Sequence, residues 1–485
     1  MSLKDFYNSL KFIQQSGYVY YVAISLILSA ICYLIFLDLN WLIGDDIQFE
    51  TIFNGNYLLG WSGAGRFWPL GLFDYNILKF VNVSFGETVP FYVYNAIIMV
   101  ISSFILFHFF NKIDNDNYIL SFFGMLLVFT CSSFIMIHMD CVYPEHFMFF
   151  TLVIFMIFYW KGFKEQNSIF YAIALLSACY TVFCKEPVFL IFSVIASFNI
   201  LFMWNNMSRK DKWFNLLLIA ITISYLLVYV YHAFFVEGFL SSIYEGGSKA
   251  GNSLTTGKTL FSASISTVVY IIKKIFLKTE PFLILFFVLS FIRLYFVIIE
   301  TDRKHLFFDG LLFGGIAYTS VFIYLLMSCH WYFLPVMILE IPVIVYWMNI
   351  LKGHFNKKFW KYGLIMSCVA CSIASAAISQ HSVKAHLAWR KETSRITDRI
   401  IEYYNKEQPI VFVGQKEFDR TEFATKSKMQ KNISIMKSIE KIDENIIPLN
   451  ALVVTADPKV DMSKLINMGF SLIEKQGTHR MYCVQ

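Results

Sequence analysis

The sequence predicts a polytopic α-helical membrane protein of about eleven transmembrane helices with a small C-terminal extracytoplasmic α/β domain. Three observations predict it. Hydrophobic residues make up 57% of the 485 and charged residues 15%, where a soluble domain averages roughly 45–50% and 25%. Apolar runs close to the ~20 residues that a bilayer requires recur from residue 18 to residue 380. Beyond about 381 the pattern changes, and short β-type runs stand between polar stretches.

Residues 1–17, with Lys4 and Lys11, suit the cytoplasmic interface. The first apolar run ends at Asp38 with no small-residue cleavage site, so it reads as a span and not as a signal peptide. Spans are placed at 18–38, 90–110, 118–137, 147–160, 168–183, 188–204, 214–236, 280–300, 310–328, 333–350 and 362–380.

The connections alternate in charge. One set carries Lys112, then Lys161 and Lys164, then Arg209, Lys210 and Lys212, then Arg303 and Lys304, then Lys352, Lys357, Lys358 and Lys361. The alternate turns near 138–146 and 328–332 carry no Lys or Arg, and 184–187 carries only Lys185. The positive-inside rule therefore puts the N-terminus in the cytoplasm and the long loops 39–88 and 237–279 outside. An odd number of spans puts the C-terminus outside too. Basic residues that hold loops in the cytoplasm account for the net charge of +6 without a nucleic-acid partner.

Loop 237–279 contains the Gly/Ser-rich stretch from Glu245 to Ser253, then a Lys273/Lys274 segment suited to the interface. Loops this long are usually binding loops or lids. Past the transmembrane domain, 1–380, the 381–485 domain opens on an amphipathic helix at 381–405, with His386, Trp389, Ile396, Ile400 and Tyr403. Buried strands follow at Pro409–Gly414 and Asn450–Thr455, and a hairpin at 470–484 turns at Gly477. Cys368 and Cys371 form a C-x-x-C inside an apolar helix, where cysteine packs as a small hydrophobe.

The unusual polar residues gather on one predicted side. Asp45 and Asp46 follow the first span directly; one Asp at mid-bilayer costs roughly 2.5–3.5 kcal/mol on insertion scales. The pair therefore belongs at the membrane edge or in a polar cavity, either as a functional site or as a helix stop. Arg66, in Trp61–Leu70, has a fork of donors suited to a phosphate, or to snorkelling into headgroups. Asp140, Glu145 and His146 share the next external turn and leave room for a divalent metal, though no metal signature matches. Glu145 equally suits the N-terminal end of the following helix. Lys185 and Glu186 stand between two spans, either paired with each other or with Lys185 offered to a lipid phosphate. His330, in His330-Trp331-Tyr332-Phe333-Leu334-Pro335, suits a phosphate or a sugar hydroxyl, or an aromatic belt. A carboxylate that takes a hydroxyl proton and cations that stabilise a departing phosphate are the equipment of group transfer from a phosphate-linked substrate.

This layout resembles the GT-C superfamily of membrane glycosyltransferases over residues 18–350. Gly44-Asp45-Asp46 followed by Trp61 and Gly65-Arg66 is similar to bacterial type II glucosyltransferases that decorate O-antigen. Lys185-Glu186 and the His330–Pro335 element look like recurrent features of that superfamily. The resemblance implies an inverting enzyme of the bacterial cytoplasmic (inner) membrane. It would move a sugar, such as glucose, from a polyprenyl-phosphate-linked donor to a cell-surface glycan acceptor such as O-antigen, a lipopolysaccharide modification of the serotype-converting kind. Asp45 and Asp46 would be catalytic; Arg66, Lys185, His330, Tyr332, Glu145 and Glu186 would bind donor phosphate or substrate. Two other activities compete: a polysaccharide polymerase or ligase, and a lipid-linked sugar transporter.

Overall fold

The computed structural model describes residues 17–37, 39, 61–63, 66–80, 88–113, 118–140, 143–232, 260, 263–299, 305–350, 355–404, 409–413, 436–439, 447–448, 450–455, 463–476 and 479–484. They fall into two compact units, one within 1–35, 59–74 and 94–382, the other within 36–58, 75–93 and 383–485.

The first unit is a helical bundle. Helix α1 is Gly17–Ile35; its Ser25 and Ser29 hydroxyls donate to the carbonyls of Tyr21 and Ser25 at 2.8 Å each, which hides them in an apolar helix. A short hairpin follows, β1 Trp61–Gly63 paired antiparallel with β2 Arg66–Trp68. A five-residue α2, Asn76–Phe80, belongs to the second unit, as does the start of α3, Thr88–Ile113, whose residues from Tyr94 on belong to the first. Then come α4 Tyr118–Thr130, α5 Ser132–Met139, α6 Glu145–Glu165, α7 Ser168–Cys184, α8 Val188–Met203 and α9 Arg209–Tyr231. Helix α10, Ile265–Lys274, runs through a wider turn, Ile275–Thr279, to α11 Phe282–Ile298. Helix α12 is Leu306–Tyr324 and α13 Leu334–Ile350. The last, α14, spans Phe355–Tyr404.

Each predicted span overlaps a helix, but 118–137 is divided between α4 and α5, and the expected count of eleven is not reproduced. Among the described residues seven helices are long and apolar enough to cross a membrane, or nine if each of two bent pairs is one span. The predicted spans at 168–183 and 188–204 are the 17-residue α7 and 16-residue α8, shorter than a full crossing requires. The chain is a multi-pass membrane protein on these lengths and compositions.

Helix α13 forms the centre. Every residue from Leu334 to Val345 is buried, as an all-round apolar helix inside a bundle should be. Helix α12 approaches α8 through Gly310 and Gly314, a pair of small residues four apart. A Cβ at Gly314 would stand 3.0 Å from the Ile191 carbonyl oxygen. Charge is also buried in the bundle: Arg293 of α11 grips Asp309 of α12 through Nε and an NH2 group, both at 2.8 Å, with its guanidinium 4.4 Å from the Trp347 ring centre. Glu340 of α13 is fully buried as well. Arg293 and Asp309 lie in separate apolar runs, so only the fold shows them as a pair.

Two helices are broken. Between α4 and α5 the axis bends by 60°, and between α10 and α11 by 105°. Pro281 explains the second break, because the residue before a proline is pushed out of the helical region; Glu280 has φ −147° and ψ 92°. The Lys273/Lys274 segment, expected as part of a loop, is the last turn of α10, which Ser264 caps by accepting from the Thr267 amide at 3.3 Å.

One end of the bundle is stitched by polar contacts. Gln166 ends α6 in the left-handed conformation (φ 51°) and donates to Asp211 at 3.2 Å. Ser208 and Asp211 form a capping box at the start of α9. Lys161, Lys164, Arg209, Lys210 and Lys212 surround this end.

The second unit contains a five-stranded mixed sheet. Strands β3 Ile410–Val413, β4 Met436–Ile439 and β5 Leu452–Thr455 are parallel; β6 Phe470–Gln476 and β7 His479–Val484 form the expected hairpin. The order is β4-β3-β5-β7-β6. Both faces are covered: Ile396 and Ile400 of α14 pack with Ile410, Phe412, Leu452 and Val454, while Leu465 of α15, Ser463–Asn467, packs with Val411, Val413 and Val453. A separate helix at 381–405 is corrected. No Gly or Pro interrupts 373–404, so that stretch continues α14 without a break.

Candidate functional site

Three connections meet at the end of the bundle opposite the Ser208–Asp211 capping box: Tyr143 and Pro144 before α6, residues 185–187 between α7 and α8, and the turn His330–Phe333 before α13. Helix α7 stops at Lys185, which takes an extended backbone (φ −157°, ψ 136°) because Pro187 two residues on cannot be entered from a helix. The turn sends the lysine inward. Its Nζ lies 2.8 Å from Glu145 Oε1, with the two side chains 6% and 0% exposed. The same ammonium stands 5.0 Å from the centre of the Tyr332 ring, a cation–π arrangement.

Glu145 opens α6, where the helix dipole favours a carboxylate. The sequence left Lys185 either paired with Glu186 or offered to a lipid phosphate; the structure joins it to Glu145, forty residues earlier in the chain. Glu186 is half-buried beside it. The Tyr318 hydroxyl is buried without a hydrogen-bond partner among the described residues, in electrostatic range of Glu145, Tyr332 and Glu186. Trp331 stacks on Tyr143 at 4.7 Å with 16° between the rings. Tyr332 stacks on Phe322 at 4.5 Å. The result is a cation held by one carboxylate and one aromatic face at a mouth lined by rings.

His330 lies on the same turn. Its Nδ1 is 2.9 Å from Ser132 Oγ and 3.2 Å from the Thr279 carbonyl oxygen. Below it, Glu280 gathers both broken helices: Oε2 accepts from the Ser133 amide at 3.3 Å and its hydroxyl at 3.1 Å, and Oε1 from Ser375 at 3.0 Å. A carboxylate thus meets the N-terminal amides of α5.

Two functional candidates were missed by sequence reasoning. Asp74 Oδ2 sits 2.8 Å from His146 Nε2, while His146 Nδ1 faces the Tyr143 carbonyl. Both partners only accept, so the contact is an ion pair when the ring carries both hydrogens. Tyr94 hydrogen-bonds the same carboxylate, and the Leu70 amide donates to the Phe183 carbonyl at 3.0 Å, so residues 70–74 dock beside the end of α7. The available signal was an acid between two aromatics, Phe73-Asp74-Tyr75. Glu280 is the other, and its signal was an acid directly before Pro281.

Asp45 and Asp46 lie outside the described residues, as do 40–60 and 233–259 of the two long loops. Arg66 begins β2, opposite Gly63. Asp140 ends α5 and is buried; its backbone carbonyl accepts from Asn95 at 3.4 Å. Among the described residues no three His, Cys, Asp or Glu side chains group as a metal would require. Glu145 and His146, raised as metal ligands beside Asp140, are engaged with Lys185 and Asp74.

No family model and no curated protein matches the chain. Solved structures do. ArnT from Cupriavidus metallidurans in the apo state superposes with a TM-score of 0.54 at 10% identity, covering 96% of this chain and 98% of that one. The same protein bound to undecaprenyl phosphate gives 0.50 at 10% identity, covering 95% and 97%. At that identity the likeness establishes a shared fold, and it runs over nearly the whole of both chains.

Proposed function

We propose that the chain is a GT-C-type glycosyltransferase that moves a sugar from a polyprenyl-phosphate-linked donor to a hydroxyl of a glycan acceptor. The observation that carries this reading is the buried Lys185 ammonium at the end of a bundle with the ArnT fold, held by Glu145 at 2.8 Å. A lysine kept dry beside one carboxylate is a ready partner for a phosphate. ArnT supports the ligand class, since one of its structures holds undecaprenyl phosphate.

In this reading Arg66 and Lys185 take the carrier phosphate. Glu145 and Glu186 set the lysine, and Tyr332 and His330 contact substrate. One of Asp45 and Asp46 removes the acceptor's proton as the anomeric carbon is attacked, and the cations stabilise the departing phosphate. The acceptor side faces out of the cytoplasm, with Lys161, Lys164 and Arg209–Lys212 at the cytoplasmic end. The 381–485 segment is then external. Glucose as the sugar and O-antigen as the acceptor rest on the short motifs around Asp45 and Arg66.

A lipid-linked sugar transporter is the second reading. The two broken helices and the intramembrane Arg293–Asp309 pair favour it, because transporters build sites on interrupted helices. One assay separates the two. Purified protein is incubated with a panel of undecaprenyl-phosphate hexoses and lipopolysaccharide, and free undecaprenyl phosphate is followed. Release that depends on acceptor is expected; a protein that moves donor across vesicles without releasing the carrier would be the transporter.

A further inference from the structure

The network beneath His330 fixes which of its ring nitrogens carries a hydrogen. Nδ1 lies 3.2 Å from the Thr279 carbonyl oxygen. A carbonyl offers only lone pairs, so a bare Nδ1 would meet repulsion there, and Nδ1 must bear the hydrogen. Ser132 agrees. Its one hydroxyl hydrogen goes to the Thr279 carbonyl at 2.6 Å, with Glu280 Oε2 at 3.3 Å as the other acceptor. The Ser132 oxygen is then left to receive from His330 Nδ1 at 2.9 Å. Glu280 is itself held by Ser133 and Ser375, so nothing around it offers His330 a competing donor. In the neutral ring the lone pair is therefore on Nε2. That nitrogen has no hydrogen-bond partner among the described residues and is not sealed from solvent. The turn that carries it also carries Trp331 and Tyr332.

We propose that His330 Nε2 receives a hydrogen bond from a hydroxyl of the sugar acceptor, and that Ser132, whose hydroxyl hydrogen is committed to the Thr279 carbonyl, is the positioning residue that holds the ring in this state. The inference rests on the glycosyltransfer reading and deepens it, narrowing the substrate contact of His330 to the acceptor. A bare nitrogen attracts a hydroxyl hydrogen and repels a phosphate oxygen, whereas a phosphate needs donors such as Lys185.

The test uses the full chain in lipid nanodiscs with 15N-histidine. The His330 resonances should show hydrogen on Nδ1 and a lone pair on Nε2, and Ser132→Ala, which leaves the ring only the longer Thr279 contact, should weaken that preference while the protein stays folded. Undecaprenyl phosphate is the donor-side probe: His330→Gln and His330→Ala should bind it within about twofold of wild type. In the transfer assay the same variants should raise the lipopolysaccharide KM roughly tenfold, the value of about one neutral hydrogen bond, with the donor KM unchanged. Hydrogen found on Nε2, or a tenfold loss of undecaprenyl phosphate binding in His330→Gln, overturns the inference. A wild-type protein that releases no carrier from any donor overturns the glycosyltransfer reading instead, and the acceptor role with it.

Discussion

Lys185 Nζ stands 2.8 Å from Glu145 Oε1 where two helix ends meet, and neither side chain is more than 6% exposed. Removing one member of such a pair leaves a buried charge without compensation, which costs about 3–5 kcal/mol. Lys185→Met and Glu145→Gln should each lower the unfolding temperature in detergent. Lys185→Met with Glu145→Leu should cost less than the two single changes together. Additive losses would show that the residues do not act as a pair. Undecaprenyl phosphate binding should fall in Lys185→Met and in the double variant alike, since both lack the cation.

Helices α8 and α12 meet at glycines with unequal room. A Cβ at Gly310 would find its nearest neighbours at 3.6 Å, an ordinary contact; at Gly314 it would meet the Ile191 carbonyl at 3.0 Å. Gly310→Ala should therefore keep wild-type stability, while Gly314→Leu should cost about 1–3 kcal/mol or more by overpacking. Thermal unfolding of both variants decides it. Equal tolerance at the two positions would mean that the helices are not packed this closely.

Hydropathy made the bundle legible because a span must be apolar along its whole length, whatever its neighbours are. Thus each predicted span finds a helix, even at α7 and α8, where 17 and 16 residues make a full crossing uncertain by length alone. Glu145, Lys185 and Tyr332 were legible as singular polar or aromatic residues at span ends. Their partnership was not, because a pairing between residues 145 and 185 depends on how α6 and α7 pack. Asp74 was hidden for a different reason: the 39–88 stretch was read as one loop, so an acid within it had no helix end to mark it. Pro281 announced the break in α10–α11, yet only the three-dimensional structure turns Glu280 toward Ser132, Ser133 and Ser375. The 436–439 strand was missed because Met-Lys-Ser-Ile lacks both an apolar run and clean alternation.

The distribution of basic residues makes the orientation testable. Lys161, Lys164 and Arg209–Lys212 lie at the end of the bundle away from Lys185 and Glu145. The positive-inside rule places that end in the cytoplasm. A cysteine engineered at Lys210 should resist an impermeant thiol reagent in intact cells and react after permeabilisation. Labelling in intact cells would invert the bundle, and with it the external assignment of the site.

The acidic pair gives the last prediction. Adjacent side chains diverge by about 100° in a helix and about 180° in a strand, so a helical or extended backbone would send Asp45 and Asp46 to different surroundings. In the glycosyltransfer proposal one of them takes the acceptor's proton, and the other is left to the local backbone. Gly44 precedes Asp45, and its freedom of backbone rotation lets the next side chain turn inward. Asp45 is therefore the base in that proposal. Loss of a positioned base typically slows turnover by about 10²–10⁴-fold. Asp45→Asn should lose turnover on that scale while expression and undecaprenyl phosphate binding hold, because an amide keeps the shape of the carboxylate without its basicity. Asp46→Asn should keep most of the rate, or lose it together with the folded protein, which size-exclusion chromatography would reveal. If Asp46→Asn abolishes turnover in well-folded protein and Asp45→Asn does not, the roles are exchanged. If both variants turn over at the wild-type rate, the pair only ends the first span, and the proton must leave the acceptor by another group.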